Sequence, residues 1–122
     1  PSTLLLAGDE SALPAIGQIL EWAPSGTTVR VLAEVAAPDG RVPLPDRPGV
    51  SVRWLHAEPG APAGTALVAA VAATTIGDHE VVWVAGEAAA VQRIRTDLFA
   101  GRGVARARAT VRGYWKAGRT GS

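Results

Sequence analysis

The stretch Leu4–Ile16, with the sequence LLLAGDESALPAI, decides the fold class of this chain. Its apolar run Leu4–Ala7 is typical of a strand that is buried on both faces, as in a parallel sheet. Gly8 closes this run, and a helical pattern starts at Ala12, with Ser11 as a candidate N-cap. Because unpaired N–H groups and the helix dipole attract anions at such a junction, the stretch indicates a nucleotide-binding turn.

The turn departs from the usual dinucleotide-binding fingerprint in two ways. It lacks the second and third glycines of that fingerprint. In addition, Asp9 and Glu10 stand where a bound phosphate would favour uncharged residues. The turn alone therefore suggests a nucleotide site without specifying one.

Strand and helix patterns alternate along the rest of the chain. Strands are predicted at about residues 3–7, 28–35, 50–56, 80–85 and 107–111, and helices at about residues 12–22, 65–74 and 88–101. Loops rich in proline and glycine occupy residues 36–49 and 57–64. This alternation predicts an α/β fold, a doubly wound five-stranded parallel sheet.

Length and composition limit the classes of function. With 122 residues and 48% hydrophobic content, residues 1–122 are expected to form a single domain, cut from a longer protein because a strand begins almost at once. The absence of cysteine excludes disulfides, thiolate metal sites and a cysteine nucleophile, and it favours a cytoplasmic location. No apolar run approaches the roughly 20 residues of a membrane span. His56 and His79 have no neighbouring ligand set, so we expect no metal site.

Charge is divided unevenly along the chain. Residues 1–92 hold four basic and ten acidic side chains, whereas residues 93–122 hold eight basic and one acidic side chain. The basic end could contact an anionic ligand, a nucleic acid or an acidic partner domain. A solvated basic surface is an equally good interpretation of the charge run taken alone.

In doubly wound sheets, ligands bind beyond the carboxyl ends of the strands, near the point where the strand order reverses. That rule gathers Gly8–Ser11, Glu34 and Ala85–Glu87 at one edge. Glu34 could accept hydrogen bonds from an adenosine ribose, which would favour NADH, or it could be a strand-end carboxylate in water. Arg41 and Arg47 could instead receive the 2′-phosphate of NADPH.

Three further residues near the predicted ligand-binding edge of the sheet could have purely structural roles. Gly86 could be required only because a strand-to-helix turn needs a positive φ. Tyr114 and Trp115 are adjacent aromatics, so one could be buried while the other stacks on a flat ligand, although core packing of both is favoured on physical grounds.

Taken together, these motifs resemble the C-terminal half of the siderophore-interacting proteins, which are FAD-dependent ferric-siderophore reductases related to the ferredoxin-NADP reductases. Ala7–Ile16 is similar to the first loop of that family, with Ser11 where threonine is usual, and Trp83–Glu87 is similar to its second loop. Arg102–Val104 and Arg112–Gly118 are similar to its closing segment, in which arginine is common at the position of Lys116. The resemblance covers nearly the whole chain.

The resemblance implies a ferredoxin-reductase-like NAD(P)-binding domain that uses NADPH or NADH. The first loop and helix would hold the phosphates, and the second loop would lie under the nicotinamide. Tyr114 and Trp115 would face the flavin, and Lys116 would attract an anionic ferric siderophore. The residues implied at the dinucleotide are Gly8, Asp9, Glu10, Ser11, Ala12, Glu34, Ala85, Gly86 and Glu87.

The resemblance also implies a reaction. In the family, hydride passes from NAD(P)H to FAD and electrons then reduce Fe(III), which releases Fe(II) from the siderophore. The family's N-terminal FAD-binding barrel has no counterpart in this chain, so we expect the chain alone neither to retain FAD nor to reduce ferric chelates, and no catalytic residue is assigned. We expect Asp9 and Glu10 to point across the cleft, toward the nicotinamide and the flavin domain.

Three other classes of protein share parts of the pattern. A signalling receiver domain would need a phosphorylatable aspartate after the third strand, where this chain has His56 and Ala57. A nucleic-acid-binding module could use the basic C-terminal end, but only Tyr114 and Trp115 could stack bases. A non-catalytic interaction domain that keeps only the fold also fits, because a fold does not establish a function.

Overall fold

Five parallel strands form the centre of the computed structural model, which describes residues 2–118. The strands are β1 (Thr3–Asp9), β2 (Thr28–Val35), β3 (Val50–His56), β4 (Val81–Glu87) and β5 (Ala109–Trp115). They lie in the order β3-β2-β1-β4-β5, so the strand order reverses between β1 and β4. This arrangement confirms the predicted doubly wound five-stranded parallel sheet.

Helices cover both faces of this sheet. They are α1 (Leu13–Trp22), α2 (Thr65–Ala73) and α3 (Ala88–Thr96), which continues as a π-helical turn over Asp97–Gly101. Short 3-10 turns precede α1, at Glu10–Ala12, and β5, at Arg106–Arg108. The alternation of strands and helices therefore matches the predicted one, with boundary shifts of a few residues.

The core consists of two apolar layers, one on each face. Side chains of α1 such as Ile16 and Leu20 pack on one face against Leu6 and Val31. On the other face α2 and α3 cover alternate residues of the same strands, including Leu5. Because β1 is fully buried on both faces over Leu5–Ala7, its sequence is apolar without alternation.

Gly8 is a strand residue rather than the turn that we predicted. It pairs with Ala33 on one side and Ala85 on the other, and its φ is not positive. A Cβ at Gly8 would lie 2.6 Å from the Cβ of Ala12 and 3.1 Å from the carbonyl oxygen of Ala85. The glycine is needed because the chain after β1 returns close over the strand end.

Strand β5 is longer than predicted and contains a bulge near its end. Gly86 is paired with Gly113, and Glu87 with Trp115, so Tyr114 is the extra residue of β5. Bulges bend a strand and redirect the side chains that follow. The predicted strand of residues 107–111 missed this extension, because Gly113 interrupts the strand pattern and the bulge at Tyr114 breaks its alternation.

Candidate functional site

The carboxyl ends of the strands border a cleft of about 360 Å³. Its lining includes five residues that the sequence predicted for the site, Asp9, Glu10, Ser11, Glu34 and Trp115. The remaining lining residues are small, namely Ala36, Ala57, Ala63 and Gly64. The cleft thus has a floor of small residues, one aromatic wall and three carboxylates.

Asp9, the last residue of β1, connects three elements at this edge. Its Oδ1 accepts hydrogen bonds from the backbone N–H of Ser11, at 3.0 Å, and from the Ser11 hydroxyl. Its Oδ2 accepts from the backbone N–H of Glu87, at 3.0 Å, and from the indole Nε1 of Trp115, at 2.9 Å. The residue is only 9% exposed, and the four donors satisfy the buried charge.

Asp9 therefore occupies the anion-binding position of the turn. The N–H and hydroxyl of Ser11 donate to this carboxylate, whereas a phosphate-binding turn would present them to a ligand. Two expectations are corrected. Asp9, and not Ser11, is the N-cap of the turn before α1. In addition, Asp9 does not reach across the cleft, because its side chain is held within the edge of its own sheet.

Gly86 is required because the Asp9 carboxylate lies above it. A Cβ at Gly86 would lie 2.8 Å from Asp9 Oδ2 and 3.0 Å from Asp9 Cγ. Its φ is not positive, so the alternative role as a left-handed turn residue is wrong. That Gly86 lies beneath a nicotinamide stays a prediction, since Asp9 fills this space in the structure.

Two predicted site residues serve close packing. Ala12 and Ala85 are fully buried, and both lie next to Gly8. Their small side chains let the turn before α1 approach the ends of β1 and β4. Contact of either residue with a dinucleotide stays a prediction.

Glu87 links helix α3 to the segment after β5. Its Oε1 accepts from the backbone N–H of Ala90, at 3.0 Å, and its Oε2 from that of Ala117, at 3.1 Å. Burial makes the largest single contribution to the pKa of Glu87 and raises it. The N–H groups of Ala90, Ala89 and Ala117 and the charge of Lys116 together outweigh burial, so the pKa lies below its ordinary value.

Glu34 has a structural role that the sequence did not reveal. Its two oxygens accept from the backbone N–H groups of Gly64, at 3.1 Å, and Leu67, at 2.7 Å, so it caps the N-terminus of α2. The side chain is buried and is not the solvated carboxylate of the alternative interpretation. A ribose contact stays a prediction, and a ribose hydroxyl would have to share an oxygen with a capping bond.

Glu10 is exposed at the mouth of the cleft. Its Oε1 accepts from the backbone N–H of Ala36, at 2.7 Å, which connects the turn after β1 to the loop after β2. Gly40 lies against the same oxygen, because a Cβ there would approach it to 2.7 Å. Glu10 contributes an accessible negative charge between the β1 and β2 loops, and its contact with a nicotinamide stays a prediction.

Tyr114 and Trp115 are both 43% exposed, so core packing of both is wrong. The ring of Tyr114 meets that of Trp83 edge to face, with centroids 6.3 Å apart. Trp115 turns into the cleft, as expected for one member of the pair, and Lys116 follows it on the surface. Sequence reasoning missed the four small lining residues, although the glycine and proline content of residues 57–64 was a signal for three of them, Ala57, Ala63 and Gly64.

The two candidate arginines for a 2′-phosphate differ in their contacts. Arg47 donates to the carbonyl oxygen of Leu20 at the end of α1. Arg41 lies on the surface, 2.9 Å from Nε2 of His56 and 5.8 Å from the ring centre of Trp54. His56 ends β3, and the next residue, Ala57, lines the cleft, so Arg41 lies near the carboxyl ends of the strands. Of the two arginines, only Arg41 is both exposed and near this end of the sheet.

Three arginines of the basic segment make hydrogen bonds to backbone carbonyl oxygens. Arg95 donates to the carbonyl oxygen of Val111, and Arg108 to those of Gly77 and Glu80. Arg102 donates to three carbonyl oxygens at the end of α2, those of Val71, Ala72 and Thr74. Arg93, Arg106, Arg112 and Lys116 are exposed, so part of the charge run lies on the surface, and that the chain binds no nucleic acid stays a prediction.

Two classes of feature are not found among residues 2–118. No three side chains of the histidine, cysteine, aspartate or glutamate types lie close enough to hold a metal ion together. None of the helices in this part of the chain has the length and apolar character to cross a bilayer.

Comparison with known sequences finds relatives that are longer than this chain, which spans less than half of each one. A family model described as siderophore-interacting protein matches residues 1–118. An uncharacterized protein of Mycobacterium tuberculosis is 38% identical over 127 residues, which cover 95% of this chain and 45% of that protein. The mycobactin import ATP-binding/permease protein IrtA of Mycolicibacterium smegmatis is 31% identical over 120 residues, which cover 98% of this chain and 13% of that protein.

Solved structures share this fold. A siderophore utilization protein from T. fusca has a TM-score of 0.84 and 35% identity, covering 98% of this chain and 46% of that chain. The siderophore-interacting protein from Acinetobacter baumannii has a TM-score of 0.87 and 21% identity, covering 98% and 48%, so it bears on the fold alone. In every one of these pairings the chain spans less than half of its counterpart.

Proposed function

The chain belongs to the siderophore-interacting protein family, and from this premise we propose that it is the NAD(P)H-binding part of a flavin-dependent ferric-siderophore reductase. The observation that carries the proposal is the cleft at the carboxyl ends of the strands, with Trp115 as its aromatic wall. Ligands of doubly wound sheets bind at this edge. The redox chemistry is proposed for a protein of the relatives' length, since this chain spans less than half of each relative that it matches.

The lining of the cleft suits a flat, uncharged or cationic ring. Its volume of about 360 Å³ lies at the small end of ligand pockets, so it would hold one end of a dinucleotide. Ala36, Ala57 and Ala63 leave room for a ring, and the indole of Trp115 offers it a face. The cleft disfavours a phosphate, because it is lined by three carboxylates and the described lining residues include no basic side chain.

The phosphates of a dinucleotide would therefore lie outside the turn that first suggested them. Asp9 already accepts hydrogen bonds from the N–H and the hydroxyl of Ser11 in that turn, and its negative charge would repel a second anion. Arg41, on the surface beside His56, is the residue that we propose for a 2′-phosphate. NADPH and NADH both remain candidates, and the choice depends on that contact.

When bound, the dinucleotide would supply a hydride to FAD on the preceding domain of the family, for the reduction of Fe(III) in a siderophore. The chain's own contribution is to bind and orient the dinucleotide. Trp115 ends β5 and Lys116 follows it, and both are exposed, so a flavin domain and an anionic ferric siderophore would approach on this side of the cleft. Lys116 would attract the siderophore through its charge.

Calorimetric titration of the chain with NADPH and with NADH tests the proposal. We expect binding of at least one dinucleotide, weakened about tenfold by Trp115→Ala, since a ring stacked on an aromatic side chain contributes on the order of 1–3 kcal/mol. Trp22→Ala is the matched control, because Trp22 is 73% exposed at the end of α1 and does not line the cleft. Absence of binding at millimolar concentration of both would contradict the proposal.

A further inference from the structure

The indole of Trp115 is held by a residue at the other end of the sequence. Its Nε1 donates to Oδ2 of Asp9, 106 positions earlier in the chain, at 2.9 Å. Asp9 is 9% exposed, whereas Trp115 is 43% exposed and its ring lines the cleft. A buried carboxylate therefore determines where an accessible aromatic ring lies.

The carboxylate itself is fixed from both sides. Its backbone lies at the end of the central strand β1, which is paired with β2 and β4. Ser11 binds Oδ1, and the backbone N–H of Glu87 binds the same oxygen as the indole does. Gly86 leaves the space in which the carboxylate lies, and the bulge at Tyr114 brings Trp115 opposite Glu87.

Trp115 lies near the surface. It lies on β5, an edge strand whose last four residues are all exposed. An exposed tryptophan at an edge can change rotamer at little cost, which would open or fill the cleft. The bond to Asp9 removes this freedom, because it requires one orientation of the indole.

We propose that Asp9 is a positioning residue, which fixes the indole of Trp115 as the wall of the cleft on which a planar, uncharged or cationic ring stacks. The identity of the ring as part of a dinucleotide rests on the proposed function. The coupling between Asp9 and Trp115 does not, because it can be measured without a ligand.

The first experiment follows the indole N–H signals of the chain by heteronuclear NMR. In the wild type, we expect the Trp115 indole proton to exchange with solvent at least tenfold more slowly than that of Trp22, which is largely exposed. Asp9→Ala should abolish this protection. Asp9→Asn should restore it in part, because the amide oxygen can still accept from Glu87 and Trp115, whereas the amide nitrogen can donate only to the Ser11 hydroxyl and the bond from the Ser11 N–H is lost.

The matched control is Glu80→Ala. Glu80 is another buried carboxylate, just before the amino end of β4 and so at the opposite ends of the strands from the cleft. It accepts hydrogen bonds from Arg30 and from the backbone N–H of Gly77. Its loss should also lower stability but should leave the Trp115 indole signal in place. An unprotected Trp115 indole in the wild type, or an equal change in both variants, would overturn the proposal.

A second experiment measures what the bond contributes to binding. Trp115→Phe keeps an aromatic ring but removes the donor, so we expect it to weaken NADPH binding about as much as Asp9→Ala, roughly fivefold to tenfold. The double variant should be no weaker than either single variant, as expected for two residues that act through one contact. Wild-type affinity in Trp115→Phe, or additive losses, would overturn the proposal.

The outcomes separate this inference from the proposed function. If the wild type binds neither dinucleotide, the proposed function fails, and the indole exchange still decides the role of Asp9. If Asp9→Ala does not fold, the exchange of the wild-type indole and the behaviour of Asp9→Asn decide it. If dinucleotide binds and Trp115→Phe has no effect, the inference fails while the proposed function stands.

Discussion

Gly86 is the residue whose substitution most directly disturbs the edge of the sheet. A methyl group there would lie 2.8 Å from Oδ2 of Asp9, so Gly86→Ala should displace this carboxylate and its bonds to Glu87 and Trp115. We expect a loss of about 1–3 kcal/mol in the free energy of unfolding, measured by urea denaturation. Gly77→Ala is the control, since a Cβ there meets only ordinary contacts at 3.8 Å or more. Equal stability of the two variants would contradict this account of Gly86.

Glu87 makes stability depend on pH in a defined direction. Because its pKa is lowered in the folded state, its contribution is complete above the unfolded pKa of about 4.3 and is lost as the pH falls through the folded value. Glu87→Gln should therefore be less stable at neutral pH, by about 1–2 kcal/mol, and should lose less stability below pH 4. Urea denaturation across this range measures the difference. The exposed Glu21→Gln should follow the wild-type profile, and a Glu87→Gln profile parallel to wild type would refute the assignment.

At the scale of the elements, helix α2 depends on side chains from elsewhere at both ends. Glu34 caps its first N–H groups, and Arg102 binds the carbonyl oxygens of Val71, Ala72 and Thr74 at its end. Residues from β2 and from the turn after α3 thus satisfy polar groups that a short helix cannot pair itself. The helix has no charged residue of its own to do so.

Arg102→Lys tests the C-terminal half of this arrangement. A lysine has one amino group and cannot match the fork of a guanidinium that binds three carbonyl oxygens and Asp97. We expect a loss of about 1–3 kcal/mol in stability and faster amide exchange in the last turn of α2. Arg93→Lys, on the exposed face of α3, should change neither quantity. Undisturbed exchange in α2 of the Arg102 variant would show that the cap is dispensable.

The elements were predictable where local pattern decides them. β1 is apolar throughout because it is buried on both faces of the sheet, and the apolar residues of α1 recur at helical spacing because one face of the helix packs on the sheet. The structure confirms both predicted elements. The end of β5 and the role of Gly8 were not predictable, because they depend on the bulge at Tyr114 and on the approach of Ala12. Likewise, the hydrogen bonds from Trp115 to Asp9 and from Leu67 to Glu34 join residues far apart in sequence. No local sequence pattern predicts such bonds.

At the scale of the whole molecule, the proposed reaction needs a flavin-binding domain in addition to the fold of this chain. We predict that the purified chain retains no stoichiometric FAD and does not reduce a ferric siderophore in the presence of NADPH. Absorbance of the purified protein measures the flavin, and a ferrous-iron chelator measures the reduction. Trp115→Ala serves as a control for background reduction. Flavin at a stoichiometric level, or reduction that depends on Trp115, would contradict this requirement.

The central claim is that a dinucleotide binds in the cleft at the carboxyl ends of the strands. Titration of the isotopically labelled chain with NADPH, followed by heteronuclear NMR, tests it most directly. We expect the largest shifts on Glu10, Ser11, Gly64 and the indole of Trp115, and no shifts at the amino ends of the strands around Arg30. Shifts that spare both the residues lining the cleft and Arg41, or no shifts at millimolar NADPH and NADH, would contradict it.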